Sequence, residues 1–241
     1  VVTLEDPIEY VHEPIRASFS QREYGKDYFD LSFGLNAALR QAPHAILVGE
    51  IRDRATMEVA ITAGETGHIV FTSLHTINAS QTINRILGMF DKDEETLMRQ
   101  RLADSLRWVV SQRLVPRVDG GLHLATEVMG NNLRSREVII SGESEKHNLH
   151  EIIESSVTPW GWHSFEQSLL SAVLAGDISP DTAVQYSNHK NQMQQELDKF
   201  TAGRITTAAP KASLSVHKLD LGSLESVRTA AAELAGEYPR I

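Results

Sequence analysis

The first third of the chain alternates short apolar segments with stretches of helical pattern. The apolar segments at 1–4, 45–48 and 69–71 are continuous, which is typical of strands covered on both faces in a parallel sheet. Between them, apolar residues recur at helical spacing over 29–40 and 54–64. This order of strands and helices predicts an α/β layer.

The remainder of the chain is predicted to be mainly helical. Helices are expected over 79–90, 93–114, 135–141, 148–155 and 164–174, and another begins at Pro180. Asn78 is the expected capping residue of the first of these helices, and Ser179 that of the last. A turn signal at 119–121, between the short apolar segments 114–115 and 122–124, predicts a hairpin. Thr, Ala, Pro and Ser dominate 201–215, which indicates a linker, and 223–234 has the spacing of a short amphipathic helix.

Composition removes several classes of protein. Acidic residues outnumber basic ones 32 to 23, a formal charge of −9, so we expect no nucleic-acid partner held by broad phosphate neutralisation. The chain has no cysteine, which excludes disulfides, tetracysteine zinc sites and thiolate nucleophiles. Its apolar runs are far shorter than the ~20 residues of a membrane helix, so no direct membrane insertion is expected. Because Val1 already lies in a predicted strand, we expect the natural amino terminus to lie upstream.

Ionisable residues follow each of the three predicted strands. Glu5, Asp6 and Glu9 follow the first strand, Glu50 the second and His75 the third. Because the carboxyl ends of parallel strands share one edge of a sheet, we expect these groups to converge there. Carboxylates without cysteine or a dense histidine cluster indicate magnesium and water chemistry rather than zinc. The alternative is that the acids are solvated loop residues and that His75 is a core histidine.

The other histidines give weaker signals. His68 follows Thr66-Gly67, so it is either a functional residue or a turn residue that packs on its own backbone. The remaining eight share no spacing and are interpreted as structural or surface residues: His12, His44, His123, His147, His150, His163, His189 and His217.

Three separated motifs together resemble one family. Glu-Asp-Pro-Ile-Glu-Tyr-Val-His at 5–12, Ala-Ile-Leu-Val-Gly-Glu-Ile-Arg-Asp at 45–53 and Thr-Gly-His-Ile-Val-Phe-Thr-Ser-Leu-His-Thr at 66–76 resemble the Asp box, Walker B segment and His box of the secretion ATPase superfamily. The resemblance covers about residues 1–190 and is nearest to the retraction motors of type IV pili. It implies a RecA-like P-loop NTPase core, a mostly parallel sheet flanked by helices, over 1–130. A helical C-terminal subdomain over 131–200 and a linker with a low-order tail over 201–241 would follow.

The resemblance also implies roles for particular residues. Glu9 matches the catalytic glutamate that polarises the attacking water, and Glu50 matches the Walker B glutamate that supports Mg²⁺ through water. His68 and His75 match the two histidines that sense the γ-phosphate. Further candidates for nucleotide binding are Glu5, Asp6, Thr72, Ser73, Arg22, Arg40 and Arg52. For the three arginines, ion pairs with nearby acids are the favoured interpretation, and phosphate sensing or subunit contacts are the alternative.

The function implied is that of an ATP-hydrolysing, Mg²⁺-dependent motor subunit that powers pilus retraction. The resemblance implies a homohexamer in the bacterial cytoplasm, peripheral at the inner membrane. Its expected partners are the pilus platform protein of that membrane and a paralogous retraction ATPase. Ala42-Pro43-His44 stands where the family usually has Asp-Pro-Asp, which favours an accessory motor.

The Walker A element Gly-x-x-x-x-Gly-Lys-Ser/Thr does not occur in the 241 residues. In the family this loop precedes the Asp box, so we expect the chain to be a fragment cut after it and inactive by itself. Two alternatives stay open. One is a type II secretion or pilus assembly ATPase, which usually carries a tetracysteine zinc module that this chain cannot form. The other is a catalytically silent accessory component of a ring.

Overall fold

The computed structural model describes residues 1–145, 147–156 and 161–208, with side chains through residue 201. The chain divides into one compact unit, Val1–Lys190, and a second that begins at Asn191. The predicted domain boundary at residue 130 falls inside the first unit and stays a prediction. The predicted helix at 223–234 and most of the predicted linker lie outside the described residues.

A four-stranded parallel sheet lies at the centre of the first unit. Its strands are β1 (Val2–Glu5), β2 (Ser20–Glu23), β3 (Ala45–Glu50) and β4 (Ile69–Ser73), in the order β2-β1-β3-β4. Helix α1 (Leu31–Leu39) connects β2 to β3, and α2 (Arg54–Glu65) connects β3 to β4. In register, Leu4 lies beside Val48, and Val48 beside Thr72. The carboxyl ends of β1, β3 and β4 therefore share one edge, and the predicted α/β layer is confirmed.

Polar caps fix where the helices near this edge begin. Asp30 accepts a hydrogen bond from the N–H of Phe33 at the start of α1, and Asp53 accepts one from Thr56 at the start of α2. The predicted cap Asn78 does the same at the start of α3 (Ala79–Leu87). Each cap satisfies a backbone donor that has no partner inside its helix.

The helix predicted over 93–114 is wrong in its second half. Helix α4 spans Glu95–Ser105, Leu106 is extended (φ −60°, ψ 136°), and strand β5 (Trp108–Pro116) follows. β5 pairs antiparallel with β6 (Leu122–Gly130), which extends the predicted hairpin. Val109, Ser111 and Val115 are buried while their neighbours are exposed or half-buried. This alternation has a period of two residues, so the segment buries one face of a strand rather than a helical stripe.

The later helices follow the predicted pattern. They are α5 (Leu133–Ser141), α6 (Leu149–Ser155), α7 (Phe165–Ala175) and α8 (Pro180–Tyr186). Ser164 caps α7, which ends at Gly176 in the left-handed conformation (φ 80°), and Ser179 caps α8. Helix α9 (Lys190–Ala208) continues through residues 201–208, so this part of the predicted linker is helical. Within the described residues, no helix combines the length and apolar character needed to cross a membrane.

Strand β4 differs from the prediction of a strand covered on both faces. Val2, Thr3 and Leu4 of β1 are all buried, as predicted, whereas Ile69 and Phe71 of β4 are 57% and 58% exposed. Within the described residues, β4 is the last strand of the sheet and has β3 as its one neighbouring strand. Ile69 and Phe71 are therefore exposed apolar side chains on an edge strand.

An ion pair between α2 and α4 gives a pH-dependent prediction. Arg101 donates from Nε and Nη2 to the two carboxylate oxygens of Glu65, at 2.7 and 2.8 Å, and this hydrogen bonding lowers the pKa of Glu65 below 4.5. We expect Glu65→Gln to lower the free energy of unfolding by about 1 kcal/mol at pH 7. Since the folded-state pKa is the lower one, this difference should be full above pH 4.5 and shrink as the pH falls further.

Urea denaturation of both chains from pH 7 to pH 3 measures this difference. The matched control is Glu137→Gln, at an exposed position of α5. The ion pair contributes nothing if Glu65→Gln and Glu137→Gln have the same stability at every pH.

Candidate functional site

The centre of the candidate site is the carboxylate of Glu50, the last residue of β3. Arg52 Nε donates to Glu50 Oε2 at 2.8 Å, and His75 Nε2 lies 3.1 Å from Glu50 Oε1. Glu50 and His75 come from the ends of neighbouring parallel strands, so the structure brings together two of the residues predicted to converge. For Arg52, the favoured interpretation as an ion-pair partner is confirmed.

The electrostatics of this cluster keep Glu50 charged. The hydrogen bond from Arg52 lowers the pKa of Glu50 below its ordinary value, and the charge of Arg52 and the contact with His75 act in the same direction. The side chain of His75 is 87% exposed, so the alternative of a core histidine is wrong. A charged, partly exposed carboxylate beside an open imidazole can bind a hydrated cation or orient water.

A glycine allows the ends of β1 and β3 to approach closely. A Cβ on Gly49 would lie 3.3 Å from the carbonyl oxygen of Leu4 and 3.5 Å from the Cα of Glu5. This places the start of the first motif beside Gly49, the residue before Glu50. Asp6 is also near, because its charge adds to the larger effect of Glu50 in raising the pKa of Arg52.

Gln21 of β2 is a site residue to which the sequence reasoning assigned no role. Its Nε2 donates to Glu5 Oε1 at 3.0 Å and to the carbonyl oxygen of Tyr10 at 2.8 Å. Its Oε1 accepts from the N–H of His12 at 2.8 Å. Gln21 therefore ties the loop that carries the exposed Glu9 to the end of β1. The sequence signal for Gln21 is weak, because β2 is a run of polar residues without the apolar pattern of a strand.

The two predicted hydroxyl residues lie at the same edge. Ser73 is paired in register with Glu50, and its hydroxyl donates to the carbonyl oxygen of Gly49. Thr72 precedes it, beside Val48, and both side chains are exposed. Carboxylate and hydroxyl oxygens are ligands that Mg²⁺ prefers, so the residues present fit this ion. Glu50 would supply the carboxylate.

Other predicted residues lie away from Glu50. His68 precedes β4, at the opposite edge from His75, where its N–H donates to the carbonyl oxygen of Ala63 and its Nδ1 lies 3.2 Å from Thr66 Oγ1. These contacts match the turn interpretation. Arg40 follows the carboxyl end of α1, at that same opposite edge, and Arg22 lies within β2 beside Leu4. The roles of these residues in nucleotide binding stay predictions.

Fold and site together define an α/β protein with a polar site at the carboxyl edge of a parallel sheet, the usual ligand position in this class. The model of the family "Type II/IV secretion system protein" matches residues 1–157. The chain belongs to this family, and the predicted membership in the secretion ATPase superfamily is confirmed.

Individual relatives extend the similarity beyond residue 157. The chain is 38% identical over 183 residues to the "Type IV pilus retractation ATPase PilT" of Pseudomonas aeruginosa, covering 76% of this chain and 52% of that protein. It is 34% identical over 195 residues to the "Type IV pilus ATPase PilU" of the same organism, covering 80% of this chain and 51% of that protein. The chain thus spans about half the length of these curated relatives.

A solved structure supports the fold. The crystal structure of the pilus retraction motor PilT with bound ADP superposes with a TM-score of 0.72 at 34% identity, covering 81% of this chain and 54% of that one. The predicted fold class, a mostly parallel α/β core with flanking helices, is confirmed by this likeness.

Proposed function

We propose that the protein to which this chain belongs is an ATP-hydrolysing motor subunit that powers retraction of type IV pili. The observation that carries the proposal is Glu50, held charged between Arg52 and His75 at the end of β3. The names of the relatives support it, because proteins similar over three quarters of the chain are a pilus retraction ATPase and a pilus ATPase.

The residues of the site divide the work of hydrolysis. Glu9, exposed on its loop, orients and polarises the attacking water, and Gln21 positions that loop through its bonds to Tyr10 and Glu5. Glu50 holds Mg²⁺ through water. When bound, Mg²⁺ neutralises charge on the phosphate oxygens. His75 contacts Glu50 directly. Loss of the phosphate and Mg²⁺ from Glu50 would therefore change the surroundings of the imidazole through a single carboxylate.

We further propose that the subunits form a homohexamer in the bacterial cytoplasm, at the inner membrane, where the ring contacts the pilus platform protein and a paralogous retraction ATPase. Arg40 is exposed at the edge of the sheet opposite Glu50. That position leaves it open to a neighbouring subunit, in line with a subunit-contact role.

A Glu50→Gln substitution in the whole protein tests the site. Because the amide has no charge to hold Mg²⁺ and Arg52, we expect the kcat for ATP hydrolysis with Mg²⁺ to fall about 10²-fold. Phosphate release measures the rate, and gel filtration verifies that assembly is unchanged.

The matched control is Glu58→Gln, at an exposed position of α2, which should keep the parent rate. Equal rates in both variants would remove Glu50 from the mechanism. If the unsubstituted protein itself releases no phosphate while it assembles normally, the result favours the silent ring component instead.

A further inference from the structure

A cluster of one histidine and two glutamates lies far along the chain from the Glu50 site. His150 and Glu154 are four residues apart on α6 and share one helix face, with His150 Nε2 3.5 Å from Glu154 Oε1. Glu166, in the first turn of α7, adds a third group. One nitrogen or oxygen atom from each of the three lies within 4.8 Å of the other two.

Glu166 is a buried carboxylate with one oxygen satisfied and one not. Glu166 is 4% exposed. Oε1 accepts from Ser187 Oγ at 2.9 Å and from the N–H groups of Asn188 and His189 at 2.9 and 3.0 Å. Oε2 is buried, and no atom of the described residues hydrogen-bonds it. An unpaired buried carboxylate oxygen is costly, so a cation bound at this atom would be stabilising.

One member of the cluster, His150, lines a cavity. The cavity has a volume of about 390 Å³, and Glu127, Glu143 and His189 are among its other lining residues. Glu127 is a second buried carboxyl group, 3% exposed. The rings of His150 and His189 lie against each other, with centroids 4.1 Å apart. An ion that enters this cavity can therefore reach His150.

We propose that His150, Glu154 and Glu166 bind a divalent transition-metal ion of the Zn²⁺ class. An imidazole with two carboxylates and no thiolate suits Zn²⁺, whereas Mg²⁺ prefers oxygen ligands alone. The i and i+4 positions on α6 supply two ligands from one helix face, and the hydrogen bonds from residues 187–189 fix the orientation of the third. The ion joins α6 to α7. His150, interpreted from the sequence as structural or surface, thus becomes a ligand.

Calorimetric titration of the chelator-stripped 241-residue chain with ZnCl₂, in excess MgCl₂ at pH 7.5, tests the site. We expect one saturable Zn²⁺ site per chain and a rise in the thermal unfolding midpoint on binding. His150→Gln and Glu166→Gln should each weaken binding about tenfold or more. The matched control is His44→Gln, an exposed histidine on the loop before β3, which should bind as the parent chain does.

Two results of this titration would contradict the proposal. Absence of a saturable site in the parent chain overturns the proposal, as does His150→Gln binding with the parent affinity. If Glu166→Gln loses its circular dichroism signal, Glu154→Gln on the partly exposed side of the cluster replaces it as the carboxylate test. Hydrolysis of ATP does not enter this measurement, so its outcome is independent of the proposed motor function.

Discussion

Glu9→Gln is expected to lower the kcat for ATP hydrolysis by the whole protein about 10²–10⁴-fold, with nucleotide binding and assembly retained. The amide cannot polarise water or accept its proton, and loss of a positioned general base has effects of this size. Glu9 is exposed on the loop that Gln21 ties to β1, so the substitution removes no packing. Single-turnover phosphate release and fluorescent-nucleotide binding separate the chemical step from binding.

Glu13→Gln is the matched control for this experiment, because Glu13 is exposed on the same loop. Its rate should equal that of the unsubstituted protein. If Glu9→Gln hydrolyses ATP as fast as Glu13→Gln, the water is activated by another group. Glu9 then does not have the catalytic role that the first motif implies.

Phe165→Ala is expected to lower the free energy of unfolding of the chain by about 3–5 kcal/mol. The side chain is fully buried at the start of α7, and the guanidinium of Arg113 on β5 lies over its ring, 4.4 Å from the centroid. The substitution leaves a cavity and removes this cation–π contact. Chemical denaturation monitored by circular dichroism gives the difference directly.

Phe33→Ala provides the comparison, since Phe33 is 72% exposed on α1. An exposed truncation of this kind should change stability by no more than about 0.5 kcal/mol. Equal losses at the two positions would contradict the burial of Phe165 and the packing of α7 against the β5–β6 hairpin.

The sequence was sufficient to predict the parts of the site that lie on regular strands. β1 and β3 are apolar segments that end in a glutamate, and β4 is followed two residues later by His75. Parallel pairing brings these ends to one edge whatever the details of packing. The contact between Glu50 and His75 follows from this rule. The capping residues Asn78 and Ser179 were also visible, because an N-cap depends on local chemistry.

Features that depend on tertiary context were not visible. β2 has the sequence Ser-Gln-Arg-Glu, with no apolar pattern, and forms a strand because β1 offers it a parallel partner. The apolar residues after Leu106 fit both helical and alternating spacing. Pairing with β6 in the hairpin makes this segment a strand. His150 and Glu166 come together only in the tertiary structure, and no spacing in the sequence indicates that they are close.

The open side of β4 has a consequence for handling the protein. Within the described part of the chain, the outer edge of β4 has no neighbouring strand, and Ile69 and Phe71 remain more than half exposed beside it. Free backbone donors and acceptors next to apolar side chains are a template for pairing between molecules. At the concentrations used for spectroscopy or crystallisation, self-association of the 241-residue chain should therefore begin at this edge. A Phe71→Lys substitution would place a positive charge there and oppose the association.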